Sequence, residues 1–129
     1  QPISGGSFWI NPMGGGYSVT QWFGTHTGID LGAAEGTPVM AANGGRVIFA
    51  GWNSWGYGYM VAMIHGSYMT VYGHLSAVYV GCGQEVASGT VIGAVGNTGN
   101  SSGPHLHFEI RVRQGSTYVP QNPAFTIGF

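Results

Sequence analysis

The sequence predicts an all-β fold, a compact antiparallel β-sheet domain, and three observations predict it. No window of eleven or more residues carries apolar side chains at helical spacing. Short β-branched and aromatic runs recur instead, separated by glycines. Twenty-five of the 129 residues are Gly, and Tyr and Trp are frequent, a composition suited to tight turns between strands. The length fits a single domain over residues 1–129, large enough to bury a core without staples.

Residues 1–16, glycine-rich with two prolines, read as an N-terminal arm lying over the domain. Strands are then expected at Ser18–Trp22, Ile29–Leu31, Thr37–Ala41, Gly45–Ala50, Tyr59–Ile64, Tyr68–Gly73, Val91–Ala94, Leu106–Arg113 and Thr117–Val119. Asn43-Gly44-Gly45 is a hairpin turn signal between the third and fourth, and His65-Gly66-Ser67 serves the fifth and sixth. Between the two hairpins, Gly51–Tyr59 mixes glycines with four aromatics and no charge, which reads as a loop offering flat apolar faces to a sugar or peptide. The alternative is that these rings cap the core.

Composition narrows the function. The chain has three Arg, no Lys and four acids, with a net charge of -1. No cationic patch is available for nucleic acid or an anionic membrane, and no apolar run approaches the roughly 20 residues of a membrane span. Residues 1–10 lack the basic start of a signal peptide, which fits a mature form or an excised domain. Cys82 is the only cysteine, so an internal disulfide and a four-Cys zinc cluster are excluded; its glycine neighbours suggest an exposed turn.

Chemistry concentrates in two short stretches. In Gly103-Pro104-His105-Leu106-His107-Phe108-Glu109-Ile110 the two histidines are two apart. On a strand they share a face, while Leu106, Phe108 and Ile110 point into the core. In Gly24-Thr25-His26-Thr27-Gly28-Ile29-Asp30 a His and an Asp are four apart. Thr25, Thr27 and Gly28 argue against a helix, so a loop entering a short strand would turn both side chains to one pocket. Three of these groups would give zinc an N/N/O set with one position open, the arrangement of a catalytic site. His65, beginning a turn after an apolar strand, reads as a structural histidine, and His74 alone would read the same way.

Together these stretches resemble the lysostaphin-type zinc metallo-endopeptidases, which cut peptidoglycan. The matching residues are His26-x-x-x-Asp30, Gly36-Thr37-Pro38-Val39, Gly45-x-Val47, Tyr72-Gly73-His74-Leu75-Ser76, Val91-Ile92-Gly93, Gly96-x-Thr98-Gly99 and Gly103 to Glu109. They run in the family's order over roughly residues 17–113. The resemblance implies that His26, Asp30 and His107 bind Zn2+, and that His74 and His105 are catalytic without being ligands. It implies a barrel- or sandwich-like antiparallel fold with an active-site groove across one sheet. It also implies zinc-activated water as nucleophile, helped by the two free imidazoles. Glu109, on the same strand face, is expected to accept an imidazole N–H or else to be a solvent-facing structural carboxylate.

Several glycyl-glycine-cutting members have a tyrosine six residues before the first ligand, where this chain has Thr20. Either Tyr57 or Tyr59 takes that place, or the chain relies on histidine alone. The substitution leans the expected substrate toward a cross-link ending in D-alanine. The expected partner is thus a peptidoglycan peptide, with no nucleic acid and no membrane insertion, bound by a monomer outside the cell or at its envelope. Two rivals differ in class: a catalytically inactive, wall-binding or regulatory relative, which would be expected to lose zinc ligands, and a histidine phosphocarrier, which would have no use for Asp30.

Overall fold

The computed structural model describes residues 8–129 except 15, 25 and 100. Residues 1–7 and 15 of the expected arm therefore lie outside the described residues. The remainder of it lies on the domain: Trp9 and Met13 are buried in the core, and Met40 donates its amide to the Pro12 carbonyl at 2.7 Å. Ten strands follow: β1 (Ser18–Gln21), β2 (Ile29–Gly32), β3 (Pro38–Met40), β4 (Gly45–Asn53), β5 (Gly58–His65), β6 (Tyr68–Val78), β7 (Glu85–Val86), β8 (Val91–Val95), β9 (His105–Gln114) and β10 (Thr117–Gln121). A single 3-10 turn at Pro123–Phe125 is the only helical element among the described residues. The all-β expectation holds.

All pairings are antiparallel, and the main sheet runs β1-β2-β9-β6-β5-β4-β7. β10 adds to β9, while β8 joins β3 to β6. One face of the sheet packs the core around Leu31, Val61, Tyr72, Leu75 and Phe108, none of which has exposed surface. The Tyr72 hydroxyl, buried with them, accepts the Ala42 amide at 2.9 Å, so its polar tip is not left unpaired. Truncating Phe108 there would cost about 3–5 kcal/mol through lost burial and the cavity left behind.

Two expectations are corrected. Asn43-Gly44-Gly45 does not join a hairpin: β3 pairs with β8, whereas β4 pairs with β5 and β7. The turn chemistry is real, since Asn43 Oδ1 accepts the Gly44 amide at 2.8 Å, but it serves a change of direction. The aromatic segment is mostly strand rather than loop. β4 and β5 pair out to Asn53 and Gly58, leaving only 54–57 as the tip. His65-Gly66-Ser67, by contrast, closes the β5–β6 hairpin as expected, with Gly66 at φ +65°.

Candidate functional site

β9 supplies the centre of the site. Leu106, Phe108 and Ile110 face the core, so His105, His107 and Glu109 line up on the opposite face. β2 lies beside it, with Asp30 opposite His107 in register. The segment before β2 brings His26 over the same strand. That approach requires Gly28: a Cβ there would sit 2.4 Å from the Phe108 carbonyl oxygen and 2.8 Å from Glu109 Cγ.

Ligand atoms of His26, Asp30 and His107 all lie within 4.8 Å of one another. Asp30 Oδ1 is the shared point, 2.8 Å from His107 Nδ1 and 3.1 Å from His26 Nε2. The His26 contact falls outside hydrogen-bond geometry, and among the described residues neither nitrogen of that ring has a hydrogen-bond partner despite being buried. Unpaired buried nitrogens cost stability unless something else uses them. Burial works against a charged Asp30, but the imidazoles of His107, His26 and His105 around it together outweigh burial and hold the carboxyl below its ordinary range. Burial likewise opposes a charged His107, yet Asp30 and Glu109 on either side raise its pKa to about 9. A positive charge is thus stabilised between His107 and Asp30, and a divalent cation meets the same need. Two imidazoles and a carboxylate are also an ordinary zinc donor set, so the residues present fit that metal.

Glu109 has no exposed surface, which rules out its solvent-facing alternative. Its Oε2 lies 2.7 Å from His107 Nε2 and accepts the hydroxyls of Thr27 at 2.7 Å and Tyr57 at 2.5 Å. Arg111 Nε donates to Oε1 at 2.6 Å. Burial alone would raise this carboxyl, but the donors around it win and lower its pKa to about 2. An ionised Glu109 holds the proton on His107 Nε2, so Nδ1, which faces Asp30, is the nitrogen that would give up its proton to a metal.

His74 reaches the site by a backbone irregularity. From Tyr59 to Val61 is two steps along β5, but their partners Leu75 and Tyr72 are three apart on β6. The extra residue is a β-bulge, and His74 within it has φ +62°, the only positive φ of a non-glycine among the described residues. Strict alternation from Tyr72 would turn His74 into the core. The bulge instead lets Gly73 and His74 both leave the core side before Leu75 returns to it. Such a conformation costs on the order of 1–3 kcal/mol, and strain of this kind gathers at functional sites.

Both extra histidines are held in one tautomer. His74 Nδ1 lies 2.7 Å from the Thr98 carbonyl, and His105 Nδ1 lies 2.8 Å from the Gly103 carbonyl. A carbonyl only accepts, so each Nδ1 carries the proton and each Nε2 keeps its lone pair. The two rings are 4.7 Å apart, and His105 Nε2 sits 3.7 Å from Asp30 Oδ2. Burial pushes the His74 pKa down, which favours a neutral, proton-accepting ring.

All five groups line a cleft of about 480 Å³, walled on one side by Trp55, Gly56 and Tyr57. A recess of about 240 Å³ shares Gln21, Asp30, Ser102 and His105 with it, so the groove continues past His105 toward Thr20 and Pro104. The aromatic segment divides in two. Trp55, 90% exposed, and Tyr57 face the cleft, whereas Trp52 and Tyr59 pack edge to face at 5.1 Å and do not line it. Of the two tyrosines considered for the place of the one missing at Thr20, Tyr57 lines the cleft with its hydroxyl on Glu109, and Tyr59 does not line it. Composition and spacing by themselves pointed to neither the Tyr57 and Arg111 contacts with Glu109 nor the role of Thr98, because each depends on a contact between distant strands. Cys82 is exposed, as expected, and His65 is buried with both ring nitrogens bonded, away from the cleft.

Known proteins share the fold that carries this cleft. Residues 24–123 match the model of peptidase family M23. The chain is 36% identical over 122 residues to lysostaphin of Staphylococcus simulans, covering 89% of this chain and 25% of that protein. It is 49% identical over 88 residues to the DD-carboxypeptidase/endopeptidase Mpg of Neisseria meningitidis serogroup B, covering 67% and 20%. Glycyl-glycine endopeptidase ALE-1 of Staphylococcus capitis is 34% identical over 122 residues, covering 89% and 34%. The solved structure of S. simulans lysostaphin superposes with a TM-score of 0.79 at 35% identity, over 85% of this chain and 49% of that one. The chain therefore spans only a fifth to a third of the length of these relatives. With the family model covering most of its residues, the chain belongs to peptidase family M23.

Proposed function

We propose that residues 1–129 form one zinc-dependent endopeptidase domain that hydrolyses peptide cross-links of bacterial peptidoglycan at the cell envelope. The observation that carries this reading is the convergence of His26, Asp30 and His107 beside two imidazoles whose Nε2 atoms are free to exchange protons. An inactive relative would have no need for all five groups in one cleft.

In this reading His26, Asp30 and His107 hold the metal. When bound, zinc acidifies water and polarises the scissile carbonyl. The chain's own part is proton handling and alignment. Nε2 of His74 or His105 takes the proton from the attacking water, and the same or the other ring returns one to the leaving amine. The remaining imidazole, once protonated, donates a hydrogen bond to the oxygen on which charge develops. Glu109 keeps His107 oriented throughout, and the cleft wall at Trp55 to Tyr57 holds the peptide in line.

The cross-link is assigned as one ending in D-alanine. Thr20 in place of a tyrosine supports that choice, as does the DD-endopeptidase relative; the glycyl-glycine relative stands against it. The test is digestion of purified walls of both cross-link types by the zinc-loaded protein, with new amino ends identified by mass spectrometry. Faster release of glycine ends would reassign the bond, and no new amino ends from either wall would remove the endopeptidase reading itself.

A further inference from the structure

Thr98 sits in the segment between β8 and β9, in the stretch Gly96-Asn97-Thr98-Gly99, and touches the site only through its neighbours. Its carbonyl accepts Nδ1–H of His74 at 2.7 Å. Its hydroxyl donates to the Leu75 carbonyl at 2.7 Å and accepts the Tyr59 amide at 3.1 Å. Tyr59 and Leu75 are cross-strand partners at the edge of the bulge that turns His74 outward. The hydroxyl therefore bridges the two strands where their pairing is disturbed. The carbonyl of the same residue fixes the ring that the disturbance exposes.

The seat of Thr98 is built by close backbone contact. A Cβ on Gly99 would fall 2.4 Å from the Gly58 amide nitrogen, and one on Gly58 would fall 2.5 Å from the Thr98 carbonyl carbon. Gly99 also has φ +75°, a conformation a side chain would resist. From the other side, His74 donates its own amide to the Tyr57 carbonyl at 2.8 Å. His74 is thus held at its main chain by the β4–β5 tip and at its ring by Thr98. A strained φ persists only where its surroundings over-determine it, and these contacts do so.

We propose that Thr98 is a positioning residue for the hydrolysis: through its hydroxyl bridge it keeps the bulge and its own carbonyl in place, so that His74 presents Nε2 to the reacting water. The inference rests on the reading of His74 as a proton-transfer group, and the experiment separates the two.

Zinc-loaded full chain is compared with Thr98→Val, Thr98→Ser, His74→Ala and the double variant His74→Ala/Thr98→Val. Thr98→Val removes the hydroxyl at nearly constant shape and keeps the carbonyl. It is expected to lower kcat about tenfold or more, because small misplacement of an acting group is costly, with KM and zinc content near the parent's. Thr98→Ser should restore most of kcat. In the His74→Ala background the same Thr98→Val change should cost little further, since its effect passes through the missing ring. Parental kcat in Thr98→Val, or full additivity with His74→Ala, overturns the inference. Parental turnover in His74→Ala instead overturns the reading on which it rests. Should Thr98→Val fail to fold, the unsubstituted protein decides: nitrogen NMR should find His74 as the Nδ1–H tautomer, and an Nε2–H tautomer would sink the proposal.

Discussion

His107 and Glu109, two residues apart on one strand face, are joined by a 2.7 Å contact between Nε2 and Oε2, and the carboxylate has no exposed surface. Four residues converge on that one buried group: His107, Thr27, Tyr57 and Arg111. Its work is to choose which nitrogen of His107 faces Asp30. Glu109→Gln keeps the shape but removes the charge and can present an amide N–H where an acceptor is needed. Zinc affinity is expected to fall roughly 10–100-fold, measured by competition with a chelator. Tyr57→Phe leaves the carboxylate with three partners and should lose less. Equal affinity in Glu109→Gln and the parent would show that the contact does not tune the ligand.

The five groups of the cleft should separate into two classes by metal content. His26→Ala and His107→Ala each delete a proposed ligand, so elemental analysis of the purified variants should show zinc occupancy well below the parent's. His74→Ala and His105→Ala should keep their zinc and their fold while turnover drops by about 10²-fold or more. A histidine that loses metal when it should lose only rate, or the reverse, has been given the wrong part.

Trp55 is 90% exposed at the cleft wall, so its ring contributes little to folding. Trp55→Ala should shift stability by no more than about 0.5 kcal/mol. The Michaelis constant for wall fragments should rise, because an aromatic face that holds the peptide has been removed. Trp52→Ala is the control, since that ring packs on Tyr59 outside the cleft. If the two variants bind substrate alike, the wall does not grip the peptide.

How much of this was legible in the sequence differs residue by residue. The face shared by His105 and His107 could be read directly, because strand alternation is strict and Leu106, Phe108 and Ile110 mark the core side. The orientation of His74 could not. Alternation sends it inward, and only a bulge at φ +62°, unmarked by any glycine at that position, sends it outward. Asn43-Gly44-Gly45 had the residues of a hairpin turn without the hairpin, since its flanking strands find partners far along the chain. The two-residue strand β7 was missed because Glu85–Val86 is too short to carry a pattern. The proposed division of roles among the histidines rests on resemblance to a family, because spacing alone leaves it open.

His65 allows a prediction about stability that is independent of the cleft. Its Nδ1 donates to the Gly44 carbonyl at 2.8 Å, its Nε2 accepts the Thr70 hydroxyl at 2.7 Å, and Trp9 packs against the ring at 5.3 Å. The residue is 3% exposed, and burial pushes its pKa below the ordinary 6.5, more than the Gly44 hydrogen bond raises it. The unfolded chain therefore takes up a proton at a higher pH than the folded one. Between the two values the unfolded state binds more protons, so stability rises with pH in that window. Put the other way, the stability that neutral His65 contributes is intact above about pH 6.5 and is lost as the pH falls toward the lowered folded value. His65→Gln should be less stable at neutral pH, because both hydrogen bonds are disturbed. Its melting temperature should nevertheless decline less steeply than the parent's on acidification from about pH 7.5 to 5, and the difference between the two curves isolates this one ring from the other histidines. Parallel curves would mean that His65 is protonated as easily in the folded protein as in the unfolded chain, and that its burial among Gly44, Thr70 and Trp9 has no hold on its charge.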